Sequence, residues 1–247
     1  MNGSSPKALA HDEDAEEVAG TRVVIEDEQL GEEIVLDEDE AWTRLVRLVE
    51  RSPGRVVLGI TGAPGVGKTV YADYLAACCV DAAVVGLDGF QLSRSALSRM
   101  GRATRRGAPD TFDVEGYLTL LRRLRSEDDQ TIWAPEFRRE LEDPVAGSVP
   151  VRPSTKVVIT EGNYLLLPER PWAQARELCD EVWFVEVPER VRILRLVNRH
   201  AHYGLSRAQA RARVTVGADA ENAKLVRGTR SRGDFVVRMA LSEEEAG

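Results

Sequence analysis

A three-layer α/β sandwich, a parallel sheet with helices on both faces, is the fold class this sequence predicts. Three observations carry the prediction. Along residues 39–247 short apolar runs alternate with amphipathic stretches of helical period. One run, residues 55–61, leads into a glycine-rich turn and then a helical stretch. Two other runs end in a carboxylate, Asp88 and Glu161, at the strand ends where open parallel sheets bind ligands. With 247 residues and 43% hydrophobic content, one domain with its own core plus a tail is expected.

Residues 1–38 read as an acidic, disordered tail, with short strands conceivable at 21–26 and 33–36. A solvated tail is the plain reading, and a partner-binding or autoinhibitory arm is the alternative. The domain proper is expected to begin at residue 39. A helix follows to Arg51, with Trp42, Leu45, Val46, Leu48 and Val49 on or near its apolar face, ended by Ser52-Pro53-Gly54. The first core strand is 55–61 and the helix after the turn starts at Val70. A second strand at 82–87 delivers Asp88. A short helix at 94–100 and an arginine-rich loop at 101–109 precede a helix at 114–125 with Leu118, Leu121 and Leu124 on one side. Residues 131–133 and 148–151 are expected to bracket an irregular insertion at about 134–150. The third core strand is 156–160 and a helix covers 172–179. The fourth core strand is 181–187. Helices at 190–202, 207–216 and 218–226 lead to a last strand at 235–239.

The most informative stretch is Gly62-Ala63-Pro64-Gly65-Val66-Gly67-Lys68-Thr69, which fits the phosphate-binding P-loop. Its glycines let the backbone turn successive N–H groups toward phosphate oxygens, and the following helix adds partial positive charge. Val70 extends the cradle into that helix. Lys68 is expected to reach the β- and γ-phosphates and Thr69 to bind Mg²⁺. The chain has four lysines against 29 arginines, so a lysine at this place is a compact point charge in an arginine-rich background. The fold expected is therefore of the P-loop NTPase kind.

A P-loop alone does not separate kinases from GTPases, ATPases and motors. No Asn-Lys-x-Asp guanine motif occurs. Asp88 is placed to orient a hydroxyl and accept its proton, and Gly89 lets the chain turn close to substrate. Glu161 ends an apolar strand in the manner of a Walker B carboxylate, holding Mg²⁺ directly or through water. Arg192, Arg195 and Arg199 share one helix face by their spacing of three and four. That face could close over the transferring phosphate, with Arg195 and Arg199 ahead of Arg192.

Residues 62–69, Leu87-Asp88-Gly89-Phe90, Gly107-Ala108-Pro109-Asp110-Thr111-Phe112-Asp113 and Thr160-Glu161-Gly162-Asn163-Tyr164-Leu165-Leu166-Leu167 occur in that order. Together they resemble the superfamily of uridine kinase, phosphoribulokinase and bacterial pantothenate kinase, over about residues 40–240. Within it the resemblance is to a bacterial subgroup usually labelled nucleoside/nucleotide kinase-like or sugar-transport kinase. The resemblance implies an ATP·Mg²⁺-dependent kinase acting on a small-molecule hydroxyl. It implies Asp88 as base, Thr69 and Glu161 around Mg²⁺, and a mobile lid at about 190–217 carrying Arg195 and Arg199. Phe90, Asp110, Phe137, Arg138, Asn163 and Tyr164 would shape the acceptor pocket, and residues 229–237 would lie near adenine. Two positions depart from the subgroup, which usually reads Asp-Gly-Phe-His and Phe-Asp-Arg. Here Gln91 follows Phe90, and Arg138-Arg139 follow Phe137. Gln91 keeps hydrogen bonding without titrating. Arg138 reverses a charge near the acceptor and makes an anionic acceptor, such as a phosphorylated sugar, more plausible.

Charge and composition bound the rest. Residues 1–40 carry a net −12 and residues 41–247 a net +4. The body suits an anionic ligand, and the acidic tail argues against nucleic acid as the main partner. No apolar run reaches the length of a membrane span, and the polar N-terminus resembles neither a signal nor a transit peptide. Cys78, Cys79 and Cys179 lack metal-ligand spacing and are expected to be reduced and buried in a cytoplasmic protein. His11, His200 and His202 do not form a metal pattern. A homodimer is possible from the resemblance. Besides a kinase, two other readings stand: a regulator that uses ATP as a switch, and an ATPase or GTPase whose acceptor is water.

Overall fold

The computed structural model describes residues 34–127, 129–242 and 245. The strands are β1 (Val35–Leu36), β2 (Val56–Thr61), β3 (Ala82–Gly86), β4 (Ile132–Arg138), β5 (Asp143–Val151), β6 (Val157–Glu161), β7 (Glu181–Glu186) and β8 (Phe235–Arg238). The helices are α1 (Glu38–Arg51), α2 (Lys68–Cys78), α3 (Arg94–Arg99), α4 (Val114–Ser126), α5 (Ala173–Glu177), α6 (Glu189–His202), α7 (Arg207–Thr215) and α8 (Ala218–Arg227). Six strands form one sheet in the order β1-β8-β7-β2-β6-β3, every pair parallel. Strand β2, which feeds the glycine loop, is flanked by β6 and β7, and all six of its residues are buried.

Burial on both faces explains the unbroken apolar runs. Successive residues of a strand serve opposite cores, as the period of two requires. On β6, Val158 joins the cluster containing Leu118, Leu121 and Leu124 of α4, while Val157 and Ile159 join the cluster containing Leu45 of α1 and Tyr71 and Leu75 of α2. Helix α1 opens on a capping box: the Glu40 amide donates to Asp37 at 2.9 Å and the Asp37 amide to Glu40 at 3.0 Å. Its acidic first turn suits the positive end of the helix dipole.

Three features differ from the sequence reading. The strand conceivable at 33–36 is present at Val35 and Leu36, which pair with Val236 and Val237 at the sheet's edge, so sheet structure starts ahead of the boundary expected at residue 39. The segment at 134–150 is not irregular: β4 and β5 make an antiparallel ribbon outside the main sheet, with Phe137 opposite Pro144 and a bulge between Ala134 and Glu136. Pro135 beside that bulge, Pro144 and Gly147 are what hide the strands, yet a two-stranded ribbon leaves unpaired edges where such residues are tolerated. Cys179 is buried as expected, but Cys78 is exposed and Cys79 only half-buried, because the helix stripe turns away from the core at its end. The conceivable strand at 21–26 and residues 1–33 of the expected tail lie outside the described residues. Among the described residues no helix is long and apolar enough to cross a membrane.

Candidate active site

The loop after β2 has the geometry of a phosphate cradle. Gly65 and Gly67 have φ of 91° and 103°, in the left-handed region that side chains rarely adopt. A side chain at Gly65 would meet Leu196 Cγ at 2.6 Å and the Arg192 carbonyl at 2.9 Å, so α6 lies directly on the loop. Ala63 and Val66 anchor the loop in the core. Helix α2 starts at Lys68 with Gly67 as its N-cap and no side-chain cap. Its first N–H groups are thus free for an anion.

Lys68 is buried and folded back on its own loop, donating to the Gly62 carbonyl at 3.0 Å and the Ala63 carbonyl at 3.4 Å. Burial lowers its pKa to about 8 against the pull of Glu161 and Asp88. Glu161, at the end of β6, is buried as well, and burial lifts its pKa to about 7 despite Lys68. It accepts a hydrogen bond from Thr69 Oγ1 at 3.1 Å. Asp88 sits in a 3₁₀ turn, Leu87–Phe90, that continues β3. Its Oδ1 accepts from Gln91 Nε2 at 3.0 Å, and Gln91 Oε1 accepts from Arg106 Nε at 3.3 Å. Arginine only donates, so it fixes which end of the Gln91 amide faces Asp88.

Two cavities meet here. The first, about 420 Å³, is lined by Pro64, Gly65, Gly67, Lys68, Thr69, Val70, Asn163, Arg195 and Arg199, among others. The second, about 430 Å³, lies between α2 and the β4–β5 ribbon and is lined by Asp73, Gly89, Pro135, Glu136, Phe137, Arg138, Glu140 and others. Thr69, Asp88, Arg139 and Glu161 line both. The ribbon is held tightly against the Asp88 turn. A side chain at Gly89 would meet the Pro135 carbonyl at 2.5 Å. Gly89→Ala is therefore expected to cost about 1–3 kcal/mol of stability through overpacking. Thermal denaturation checks it, and an unchanged melting temperature would contradict the contact.

The α6 arginines divide. Arg192 is buried; it pairs with Glu189 and donates to the Pro64 carbonyl at 3.1 Å, which makes it a brace for the loop. Arg195 lines the first cavity, donates to the Val66 carbonyl at 2.9 Å and pairs with Glu245 at 2.6 Å. The Arg195 guanidinium pulls the Glu245 carboxyl down to about 2. Arg199 lines the same cavity, where loss of solvation and the like charge of Arg139 lower its pKa.

Of the residues expected at the acceptor, Asn163 lines only the first cavity and three others line neither. Phe90 packs edge-on against Tyr117 in the core. Tyr164 is fully buried, packed on Phe112 and Trp172 with its hydroxyl donating to the Gly107 carbonyl. Asp110 is paired with Arg105 at 3.1 Å and Arg102 at 3.5 Å within its own loop. Residues 229–237 line neither cavity. Phe137 does line the second cavity, with the Arg106 guanidinium 5.1 Å from its ring centre. Arg138 also lines it, but pairs with Glu136 at 2.7 Å and Glu140 at 3.6 Å, so its charge is balanced inside the ribbon. Arg139, Arg106 and Glu245 were not singled out from the sequence. The signal for Arg139 was its place as the arginine that ends the Phe-x-Arg stretch starting at Phe137.

No protein-family model matches the chain. It is 32% identical over 184 residues to the Schizosaccharomyces pombe protein named "Putative uridine kinase C227.14", covering 70% of this chain and 78% of that one. It is 42% identical over 126 residues to "ATP-dependent kinase-like protein notR'" of Aspergillus versicolor, covering 48% of this chain and 73% of that one. Among solved structures it resembles a "putative fructose transport system kinase" from Silicibacter sp. TM1040, with a TM-score of 0.73 and 35% identity over 80% of this chain and 97% of that one.

Proposed function

The chain belongs to the P-loop kinases of the uridine kinase, phosphoribulokinase and pantothenate kinase superfamily, and from that premise we propose that it transfers the γ-phosphoryl group of ATP to a hydroxyl of a small molecule. The observation that carries the reading is the junction of the two cavities, with Asp88 on the shared wall. A phosphate cradle on one side and a second cavity on the other is what an in-line transfer between two bound molecules needs.

The loop 62–70 binds the phosphates through backbone N–H groups, and Lys68 swings from the Gly62 and Ala63 carbonyls to the β- and γ-oxygens. Thr69 Oγ1 and Glu161 Oε1, 3.1 Å apart, are two hard oxygen ligands beside the cradle. That donor set suits Mg²⁺, which takes one or two protein oxygens with phosphate and water for the rest. When bound, Mg²⁺ neutralises charge on the β- and γ-phosphates. Asp88 orients the acceptor hydroxyl and takes its proton as the oxygen bonds to the γ-phosphorus and the bond to ADP breaks. Arg199, and Arg195 once it leaves Glu245, stabilise the charge spread over the transferring group.

The second cavity favours an acceptor without a phosphate. Its charged lining is five carboxylates, Asp73, Asp88, Glu136, Glu140 and Glu161, against two arginines, Arg138 and Arg139, so acidic groups remain in excess after Arg138 pairs within the ribbon. Carboxylates hold polyol hydroxyls by accepting hydrogen bonds and repel a phosphomonoester. ADP release with Mg·ATP against matched pairs (a nucleoside and its monophosphate, a free sugar and its phosphate) tests this. The unphosphorylated member is expected to stimulate release about tenfold more than its partner. Equal or greater stimulation by the phosphorylated member would contradict the charge argument. Nucleotide binding with no stimulation by any hydroxyl compound would favour the switch reading.

A further inference from the structure

We infer that Arg139 is a catalytic residue whose guanidinium, reaching from the ribbon, contacts the transferring phosphoryl group on the side opposite α6. The inference rests on the kinase reading and adds a residue to it. Four residues line both cavities, Thr69, Asp88, Arg139 and Glu161. The shared wall is where the phosphoryl group passes from ATP to acceptor. Three of the four already have roles there, as metal ligands and base. Arg139 is the fourth and the only cation among them.

Its charge is uncommitted. Neighbouring arginines are engaged: Arg138 by Glu136 and Glu140, Arg106 by Gln91 and Glu142, Arg195 by Glu245. Among the described residues the Arg139 side chain makes no hydrogen bond or ion pair. It borders the same cavity as Arg199, whose lowered pKa comes from burial and then from the like charge of Arg139. Two guanidinium groups from separate elements, one on α6 and one on the ribbon, border a single cavity. An anion between them converts repulsion into two attractions.

The ribbon is built to aim Arg139. It stands in the turn directly after β4, whose last pairs are Phe137 with Pro144 and Arg138 with Asp143. The Gly89–Pro135 approach fixes the ribbon against the turn that carries Asp88. Base and guanidinium are thereby held in one frame. In the transfer the acceptor oxygen–phosphorus bond forms, the bond from phosphorus to the ADP oxygen breaks, and Asp88 receives the proton. Arg139 moves no proton and donates hydrogen bonds to the equatorial oxygens.

The test needs no acceptor. The affinities of the full chain for Mg·ATP and Mg·ADP are measured by calorimetry for wild type, Arg139→Ala and Arg139→Lys, with melting temperatures as a control for folding. A group on the γ-phosphoryl is worth a charge-assisted hydrogen bond, so Arg139→Ala is expected to lower the preference for ATP over ADP by about tenfold or more. ADP affinity should stay within about twofold, and Arg139→Lys should recover part of the preference. An unchanged ATP-to-ADP ratio, or equal loss of both affinities, would overturn the inference. A wild-type chain that binds neither nucleotide would overturn the kinase reading itself, which is a separate result.

Discussion

Asp88→Asn is expected to lower phosphoryl transfer by about 10²–10⁴-fold, the usual worth of a positioned general base. Mg·ATP affinity should change by no more than about threefold. The substitution is a narrow one. Asn keeps an oxygen that can accept from Gln91 Nε2, so the hydrogen bond at 3.0 Å and the orientation set by Arg106 can survive. What goes is the lone pair that takes the hydroxyl proton. Steady-state turnover beside calorimetric ATP affinity separates the two effects. Near-normal turnover in the variant would remove Asp88 from the role of base.

Lys68→Ala should act on the nucleotide itself, lowering Mg·ATP affinity by about tenfold or more and turnover further. Lys68 is a buried cation that feels the charges of Glu161 and Asp88, and its Nζ donates to two carbonyls of the loop. Removing it leaves the Gly62 carbonyl without that donor and takes from Glu161 a positive charge that favours its ionised form. A pH signature accompanies it. Burial holds Lys68 near 8. Phosphates raise that value, so binding takes up a proton once the pH exceeds about 8. Wild-type affinity should therefore fall as pH rises past about 8, and the variant should lose that decline. Unchanged ATP binding and turnover in Lys68→Ala would contradict the cradle assignment.

Much of this architecture was legible in the residues. The strands β2, β6 and β7 are buried on both faces, so they appear as unbroken apolar runs, and the glycine loop between β2 and α2 is specific in its spacing. The placement of Asp88 and Glu161 on the wall of both cavities was legible because each closes an apolar run with a charge. A charge at the ligand-binding edge of a parallel sheet points to chemistry rather than packing. The ribbon was not legible. Its prolines and charges look like loop chemistry, and its pairing partners only become evident once the chain folds back on itself. Phe90 and Tyr164 show the opposite error. They share their motifs with Asp88 and Glu161, but large apolar rings next to a strand end serve the core. Arg138 and Arg139 are neighbours in sequence and of one type. Ion pairs to Glu136 and Glu140 balance Arg138, whereas Arg139 lines both cavities.

The central claim is that the γ-phosphoryl group ends on an organic hydroxyl, with Asp88 taking the proton. Phosphorus NMR of the full chain with Mg·ATP and the acceptor that most stimulates ADP release follows that group directly. The account predicts a new phosphomonoester resonance that grows as ATP is consumed, and its near-disappearance in Asp88→Asn. Inorganic phosphate as the only product, or an ester formed equally fast by the variant, would contradict it.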